Sequence, residues 1–367
     1  MQKVLALCRK ELTQFQRDRL TLALAFLLPM MTLIILGSAI RLEAKGIPIT
    51  IQDLDISPLS RSYIERIFAT NQLVAVSKST DDPEQAIAQG LAKAAIIIPP
   101  DFASVIQSGK SIPVQILVDA TDTNNARIIQ NIVRATTRSF LQDAGIQSIT
   151  ERIKARIRVW FNPGRREALY IVPGLYGLIL WVYPSLLSAI AMVREKEQAT
   201  ILQIYASSLS ATELLLGKGL AYLIIAISEA VFVMICGALI WGLGIAGDPT
   251  TLLIGTLCFI VDAVVFGLLI GVRTTNQNAA VQAVALIGFL TALLLSGFIY
   301  PLSNIPFPLS FVSNIIPARY YIEISRDAYV RGSGWLGIWQ AMLMLIILGL
   351  GLFNAARLSL KKMQLPN

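Results

Sequence analysis

Glu229 and Asp262 each stand alone inside a long apolar run, 213–242 and 250–272, with no basic residue at comparable depth to neutralise them. A carboxylate at mid-bilayer costs on the order of 3 kcal/mol on insertion scales, so such a group faces a cavity or a partner helix. Both are pathway candidates, able to contact a cationic substrate or carry a proton. A protonated acid bonded to a neighbouring helix is the structural alternative.

Little other chemistry is available. The chain has no histidine, which removes the commonest general base and metal ligand. Its cysteines, Cys8, Cys236 and Cys258, lie near or inside apolar runs and make no disulfide framework. Asp53, Asp55, Asp119 and Asp122 fall at strand ends, where cap and loop roles outweigh catalysis. The nearest approach to a phosphate-binding loop is "TELLLGKG". Thr212 stands where its first glycine belongs and Gly219 where Ser or Thr should follow Lys218, so the pattern fails twice. No catalytic residue, metal site or bound cofactor is expected, and the chain is not an enzyme by itself. A net charge of +8, spread beside apolar runs without interleaved aromatics, gives no nucleic-acid surface.

The surrounding elements explain the scarcity. Of 367 residues, 55% are hydrophobic and only 15% charged, against roughly 25% charged in soluble domains. Mean hydropathy is +0.64. Apolar blocks at 20–40, 170–193, 213–242, 250–272, 277–299 and 335–357 approach or exceed the roughly 20 residues that cross a bilayer core. The first is too long for a signal-peptide core and carries Pro29 as a kink. Lys3, Arg9, Lys10, Arg17, Arg19, Arg194, Lys196, Arg273, Lys361 and Lys362 mark one side of these spans, placing both termini in the cytoplasm. Before the first span, Val4, Leu5, Cys8, Leu12 and Phe15 recur at helical spacing, an amphipathic helix on the membrane surface. "GLLIG" at 267–271 permits close helix approach.

Residues 41–169 form the polar insert. "IPITIQD", "LVAVS", "AKAAIIIP" and "IPVQILVDA" read as strands, and "SPLSRSYIERIFA", "DPEQAIAQG" and "DFASVIQSG" as helices capped at Ser or Asp. A long helix from about Thr123 to Val159 returns the chain to the membrane. Alternating strands and helices favour a mostly parallel sheet, in a domain expected to gate or contact substrate.

Two segments carry a resemblance. "REKEQATILQIYASSLSATELLLGK", residues 194–218, resembles the first cytoplasmic loop of ABC-2 type transporter permeases, matching at Arg194, Glu195, Glu197, Thr200, Leu209, Ser210, Glu213, Gly217 and Lys218. Ala199 and Ser208 depart from the family's Gly and Pro. Residues 295–334 resemble the signature before the last span, at Gly297, Pro301, Pro306, Pro317, Tyr320, Glu323, Arg326 and Gly332. The insert is similar to that of the multidrug-exporter-like subgroup with a large extracytoplasmic domain after the first span.

The resemblance implies a membrane α-helical fold of six transmembrane helices, ABC-2 or type V exporter-like, with an inserted extracytoplasmic α/β domain. Segment 1–40 would hold the amphipathic helix and first span, 41–169 the insert, and 170–367 the other five spans. It implies a multi-pass permease subunit of the bacterial inner membrane that exports an amphipathic, drug-like or lipid-like substrate. A second permease copy or paralogue and an ABC ATPase subunit, which binds the ATP and Mg, would be its partners. The resemblance also admits a periplasmic adaptor.

Under this reading 194–212 is the coupling element, with Arg194, Glu195, Glu197, Thr200, Ile204, Tyr205 and Glu213 meeting the ATPase. Ser210 and Glu213 have the spacing of a capping box that starts the next span sharply. Segment 300–334 is an outer gate of two short re-entrant helices broken at Pro301, Pro306 and Pro317. Arg319, Glu323, Arg326 and Asp327 are spaced there for local ion pairs. A proton-coupled secondary transporter using Glu229 and Asp262, or a non-transporting surface receptor, remains an alternative.

Overall fold

In the computed structural model the residues described are 1–40, 46–76, 82–119, 123–143, 166–198 and 209–364. Contacts divide the chain into Met1–Ile40 with Val159–Asn367, and Arg41–Arg158.

The first unit is helical. α1 (Gln2–Arg17) leads into α2 (Arg19–Ala39), which Asp18 caps by accepting from the amides of Leu20 and Thr21. After the inserted unit come α7 (Ala168–Glu197), α8 (Ala211–Trp241), α9 (Pro249–Arg273), α10 (Gln277–Leu295) and α13 (Trp335–Gln364). Among the described residues six helices, α2, α7, α8, α9, α10 and α13, are long and apolar enough to cross a membrane. α10 is π-helical over Val284–Phe289.

α7 is buried along most of its length, while the outer helices expose their apolar faces. It crosses α9 closely because Gly267 and Gly271 leave no side chain between the backbones. A Cβ at Gly267 would stand 2.1 Å from the carbonyl oxygen of Ser185. The hydroxyls of Ser185 and Ser188 donate to the carbonyls of Ala263 and Val264 at 2.8 and 3.0 Å, fastening the crossing. Small residues exchanged for backbone proximity are how helices associate without a hydrophobic drive between them. Trp181 of α7 stacks on Phe259 and Phe266 of α9.

Between α10 and α13 lie a 3-10 turn at Leu302–Asn304, α11 (Leu309–Ser313) and α12 (Pro317–Arg326). A π turn at Asp327–Arg331 continues α12 and is closed by Gly332 in the left-handed region.

The second unit carries a four-stranded sheet in the order β2-β1-β3-β4, from β1 (Ile47–Asp53), β2 (Leu73–Ala75), β3 (Ala94–Ile98) and β4 (Gln115–Val118). β1 pairs parallel with β2 and β3, and β4 is antiparallel to β3. Ile47, Ile49, Ile96 and Ile98 face a core completed by α3 (Pro58–Ala69), α5 (Phe102–Gln107) and α6 (Thr123–Asp143). Tyr63 packs between Phe102 and Phe140 there.

Ser57 caps α3 in a reciprocal capping box with Ser60, and Asp82 caps α4 (Pro83–Ala88). Asp101, expected to cap α5, makes no side-chain cap bond; Asp55 instead accepts from the amide of Ala103 at 3.2 Å. Asp53 accepts from Ser60 and Asp119 pairs with Lys93, so these acids fasten turns. Asp122 and the end of the expected helix beyond Asp143 lie outside the described residues.

Candidate functional site

The ends of α7 and α8 meet the middle of α1 in a cluster of four charges, of which Glu11, Glu195 and Lys218 are buried and Lys10 is half-exposed. α1 turns Leu7, Cys8, Glu11 and Phe15 inward. Leu7 lies directly on Gly217 of α8, where a Cβ would stand 2.7 Å from the Leu7 side chain. That contact sets Glu11 beside Lys218, which is only 1% exposed. The Lys218 ammonium donates to Glu11 at 2.7 Å, to Glu195 of α7 at 3.2 Å and to the Ala191 carbonyl at 3.2 Å. Lys10 donates to Glu195 at 2.6 Å and to Glu11 at 3.4 Å, closing a square of two ammonium and two carboxylate groups.

The four groups sum to no net charge, which makes the burial of Glu11, Glu195 and Lys218 tolerable: an ion taken from water costs several kcal/mol unless it is closely paired and hydrogen-bonded. Burial pulls the Lys10 ammonium down, but its bond to Glu195 and the fields of Glu11 and Glu195 outweigh this and raise it above the ordinary lysine value.

Further bonds extend the lattice. Arg194 pairs with Asp18 at 3.1 Å, joining α7 to the cap of α2. Lys196 donates to the carbonyls of Gly271, Val272 and Thr274, groups that the end of α9 leaves without helical donors. Glu197 accepts from the amide and side chain of Gln277 at the start of α10. Ser210 and Glu213 form the capping box that opens α8: the Glu213 amide donates to the Ser210 hydroxyl, and the Ser210 amide to the Glu213 carboxylate.

These placements change the sequence expectation. Arg194, Glu195 and Glu197 stand in the last turn of α7, not in a loop, and Glu195 is 7% exposed. Its carboxylate is turned into the bundle rather than out toward a partner. The amphipathic face of α1 is likewise turned against α8, with Glu11 rather than Leu12 at its centre. Thr200, Ile204 and Tyr205 lie outside the described residues. Lys10, Glu11, Asp18 and Lys196 were not site candidates from sequence.

At the other end of the bundle, Arg326 is the fastener. Its guanidinium lies 3.6 Å from the Tyr170 ring centre and donates to the carbonyls of Gly297 and Phe298 at 2.9 and 3.1 Å. The expected local ion pairs do not form among the described residues. Arg319 donates to the Asn314 side chain, and Asp327 accepts from the Ser333 hydroxyl and the Gly334 amide. Arg326 is drawn away because two turn carbonyls and an aromatic face offer more than one neighbouring carboxylate.

Gly297, with φ of 82°, makes the turn that presents its carbonyl. Gly297, Pro301, Glu323 and Arg326 line a cavity of about 630 Å³. Pro317 opens α12, the Tyr320 hydroxyl donates to the Asn314 carbonyl at 2.8 Å, and the Pro306 carbonyl accepts from the Ser310 amide.

Glu229 and Asp262 are both buried, in α8 and α9. Asp262 lies against α13, where a Cβ at Gly349 would come within 2.1 Å of its carboxylate. Among the described residues no group bonds to either oxygen of Glu229 or to Oδ2 of Asp262.

A family model for ABC-2 family transporter proteins matches residues 19–358. The chain is similar to the probable multidrug ABC transporter permease YbhS of Escherichia coli (strain K12), 27% identical over 339 residues, 90% of this chain and 89% of the relative. It is similar to the probable multidrug ABC transporter permease YbhR of the same organism, 26% identical over 348 residues, 93% of this chain and 94% of that one. The inner membrane transport permease YhhJ, also from that strain, is 24% identical over 326 residues, covering 86% and 85%.

Proposed function

The chain belongs to the ABC-2 family of transporter proteins, and from that premise we propose that it is the membrane subunit of an ATP-driven exporter, moved by a separate ATPase that docks on the connection between α7 and α8. The observation that carries this reading is the charge lattice at the ends of those two helices. The connection is held at its start by Glu197 on Gln277 and at its close by the Ser210–Glu213 box, while Glu195 and Lys218 tie both helices to α1. A force applied between two such anchors cannot dissipate by fraying helix ends. It reaches α1, α7, α8 and α10 together.

Glu195 therefore transmits movement and does not itself contact the ATPase; Thr200, Ile204 and Tyr205 belong to the part that docks. With this connection on the cytoplasmic side, the Arg326 cluster and its cavity lie outward. Breaking the bonds from Arg326 to Gly297 and Phe298 would open that end to release cargo. The inserted α/β unit is extracytoplasmic in this arrangement. Two permease copies, or this chain and a paralogue, enclose the pathway, and the cargo is amphipathic, in keeping with the multidrug names of the relatives.

The test is reconstitution in liposomes with and without a candidate ABC ATPase subunit from the same organism. Transport that requires both polypeptides and hydrolysable ATP is expected. Uphill transport by the permease alone on an ion gradient would overturn the reading.

A further inference from the structure

Glu229 is fully buried, and neither of its carboxylate oxygens has a partner among the described residues. Neighbouring contacts fix its depth. On α2, which runs parallel to α8, Phe26 meets Phe232 edge-on at 5.7 Å and Gly37 lies against Trp241. Counting back along both helices sets Glu229 level with Ala23 from the first contact and Ala25 from the second. On α7, which runs antiparallel, Tyr176 lies in the notch at Gly237 and the Ala191 carbonyl accepts from Lys218. Interpolating between those contacts sets Glu229 level with Leu180 to Pro184.

Both neighbouring helices lack a backbone donor at this level. Proline has no N–H, so Pro29 leaves the carbonyl of Ala25 without its helical donor, and Pro184 does the same to Leu180. Pro29 and Pro184 are buried, which keeps both carbonyls on the inner side of their helices. The phenol of Tyr183 is held at 2.6 Å from the Thr32 hydroxyl, within electrostatic reach of Glu229. Other titratable groups are distant or weak. Cys258 and Asp262 lie on α9, with Asp262 turned to α13, and α13 brings no ionisable side chain to this level. Lys218 is eleven residues away along α8, about 16 Å of helix rise.

Among the described residues the seam thus holds one carboxylate and two backbone acceptors with no donor bonded to them, the Tyr183 and Thr32 hydroxyls being bonded to each other. A proton would satisfy one of the three. A primary ammonium carries three donors and one positive charge. We propose that Glu229, with the carbonyls of Ala25 and Leu180, binds the primary ammonium group of an amphipathic cargo, Glu229 serving as its counter-ion. This rests on the permease reading above and names its substrate class. A proton occupies the carboxylate when no cargo is bound and leaves as the ammonium enters.

The experiment uses the full chain in lipid nanodiscs, with dodecylammonium and uncharged dodecanol as probes. A hydrophobic carbodiimide labels Glu229, and peptide mass spectrometry reads the label; equilibrium dialysis measures binding of each probe. Dodecylammonium should protect Glu229 at concentrations where dodecanol does not. Glu229→Gln should weaken dodecylammonium binding at least about tenfold, since it removes a buried counter-ion, while dodecanol binding holds. Pro184→Ala returns a donor to the Leu180 carbonyl and should weaken the ammonium alone, by about threefold to tenfold, the scale of one net hydrogen bond.

Equal protection by both probes, protection by neither, or unchanged ammonium affinity in Glu229→Gln would each overturn the site. If the Gln variant fails to fold, the comparison of probes on the unaltered chain still decides. None of these outcomes touches the ATP requirement, on which the permease reading stands or falls separately.

Discussion

Lys218 reaches Glu11 at 2.7 Å across 207 residues of sequence and Glu195 at 3.2 Å across 23, so one buried ammonium joins three helices. Its removal takes from both carboxylates their buried partner and leaves them beside Lys10, whose side chain is 50% exposed. Breaking a buried pair in this way costs about 3–5 kcal/mol, because the remaining charge is stranded away from water. Lys218→Met should therefore lower the thermal midpoint of the detergent-solubilised protein strongly, followed by intrinsic tryptophan fluorescence. Adding Glu11→Gln and Glu195→Gln removes the stranded charges, and this triple variant should recover most of the loss. A single Lys218→Met variant that melts with the unaltered protein would show that the square does not hold the helices.

Gly267 and Gly351 make a matched pair of opposite sign. At Gly267 a methyl group would stand 2.1 Å from the Ser185 carbonyl, a backbone atom that cannot turn aside, whereas at Gly351 nothing lies within 4 Å. Gly267→Ala forces α7 and α9 apart and should cost about 1–3 kcal/mol, the usual range for overpacking, or more. Gly351→Ala adds a better helix former in open space and should be neutral or stabilising by up to about 1 kcal/mol. Parallel melting curves of the two variants check this, and equal destabilisation would place the tight crossing elsewhere.

How much of this was visible beforehand depended on whether the signal was local. The six spans follow from apolar length alone, and Glu229 and Asp262 stood out because an acid in an apolar run has nothing nearby to explain it. The charge square was hidden because each of its bonds except Lys10 to Glu11 crosses between helices, 23 to 207 residues apart. The helical spacing of α1 gave the apolar face to Val4, Leu5, Cys8, Leu12 and Phe15 and no part of it to Glu11. Neutralised by Lys218, it belongs on the buried face. The same blindness turned Arg194 to Glu197 into a loop. Charges usually end an apolar helix, but here they are paired and helix-prone, so α7 continues through them. Arg326 shows the converse: spacing offered it Glu323 one turn away, and it takes carbonyls 28 and 29 residues upstream.

Asp18 gives this end of the bundle a dependence on pH. Its bond from the Thr21 hydroxyl is the main influence holding the carboxyl below the ordinary aspartate value; burial opposes it, and the Thr21 amide and Arg194 add to the lowering. A depressed value in the folded state means that the folded chain holds this proton less tightly than the unfolded one. The resulting stabilisation is complete above the unfolded aspartate value, about 4, and is lost as pH falls through the lower folded value. Asp18→Asn keeps a capping oxygen for the amides of Leu20 and Thr21 but gives up the charge facing Arg194. The unaltered protein should therefore melt above Asp18→Asn at neutral pH, and the gap should close as the solution is taken below about pH 4. Melting curves across that range decide the matter. A gap of the same size at both ends would mean that the cap works as a neutral hydrogen bond and that the Arg194 charge contributes nothing.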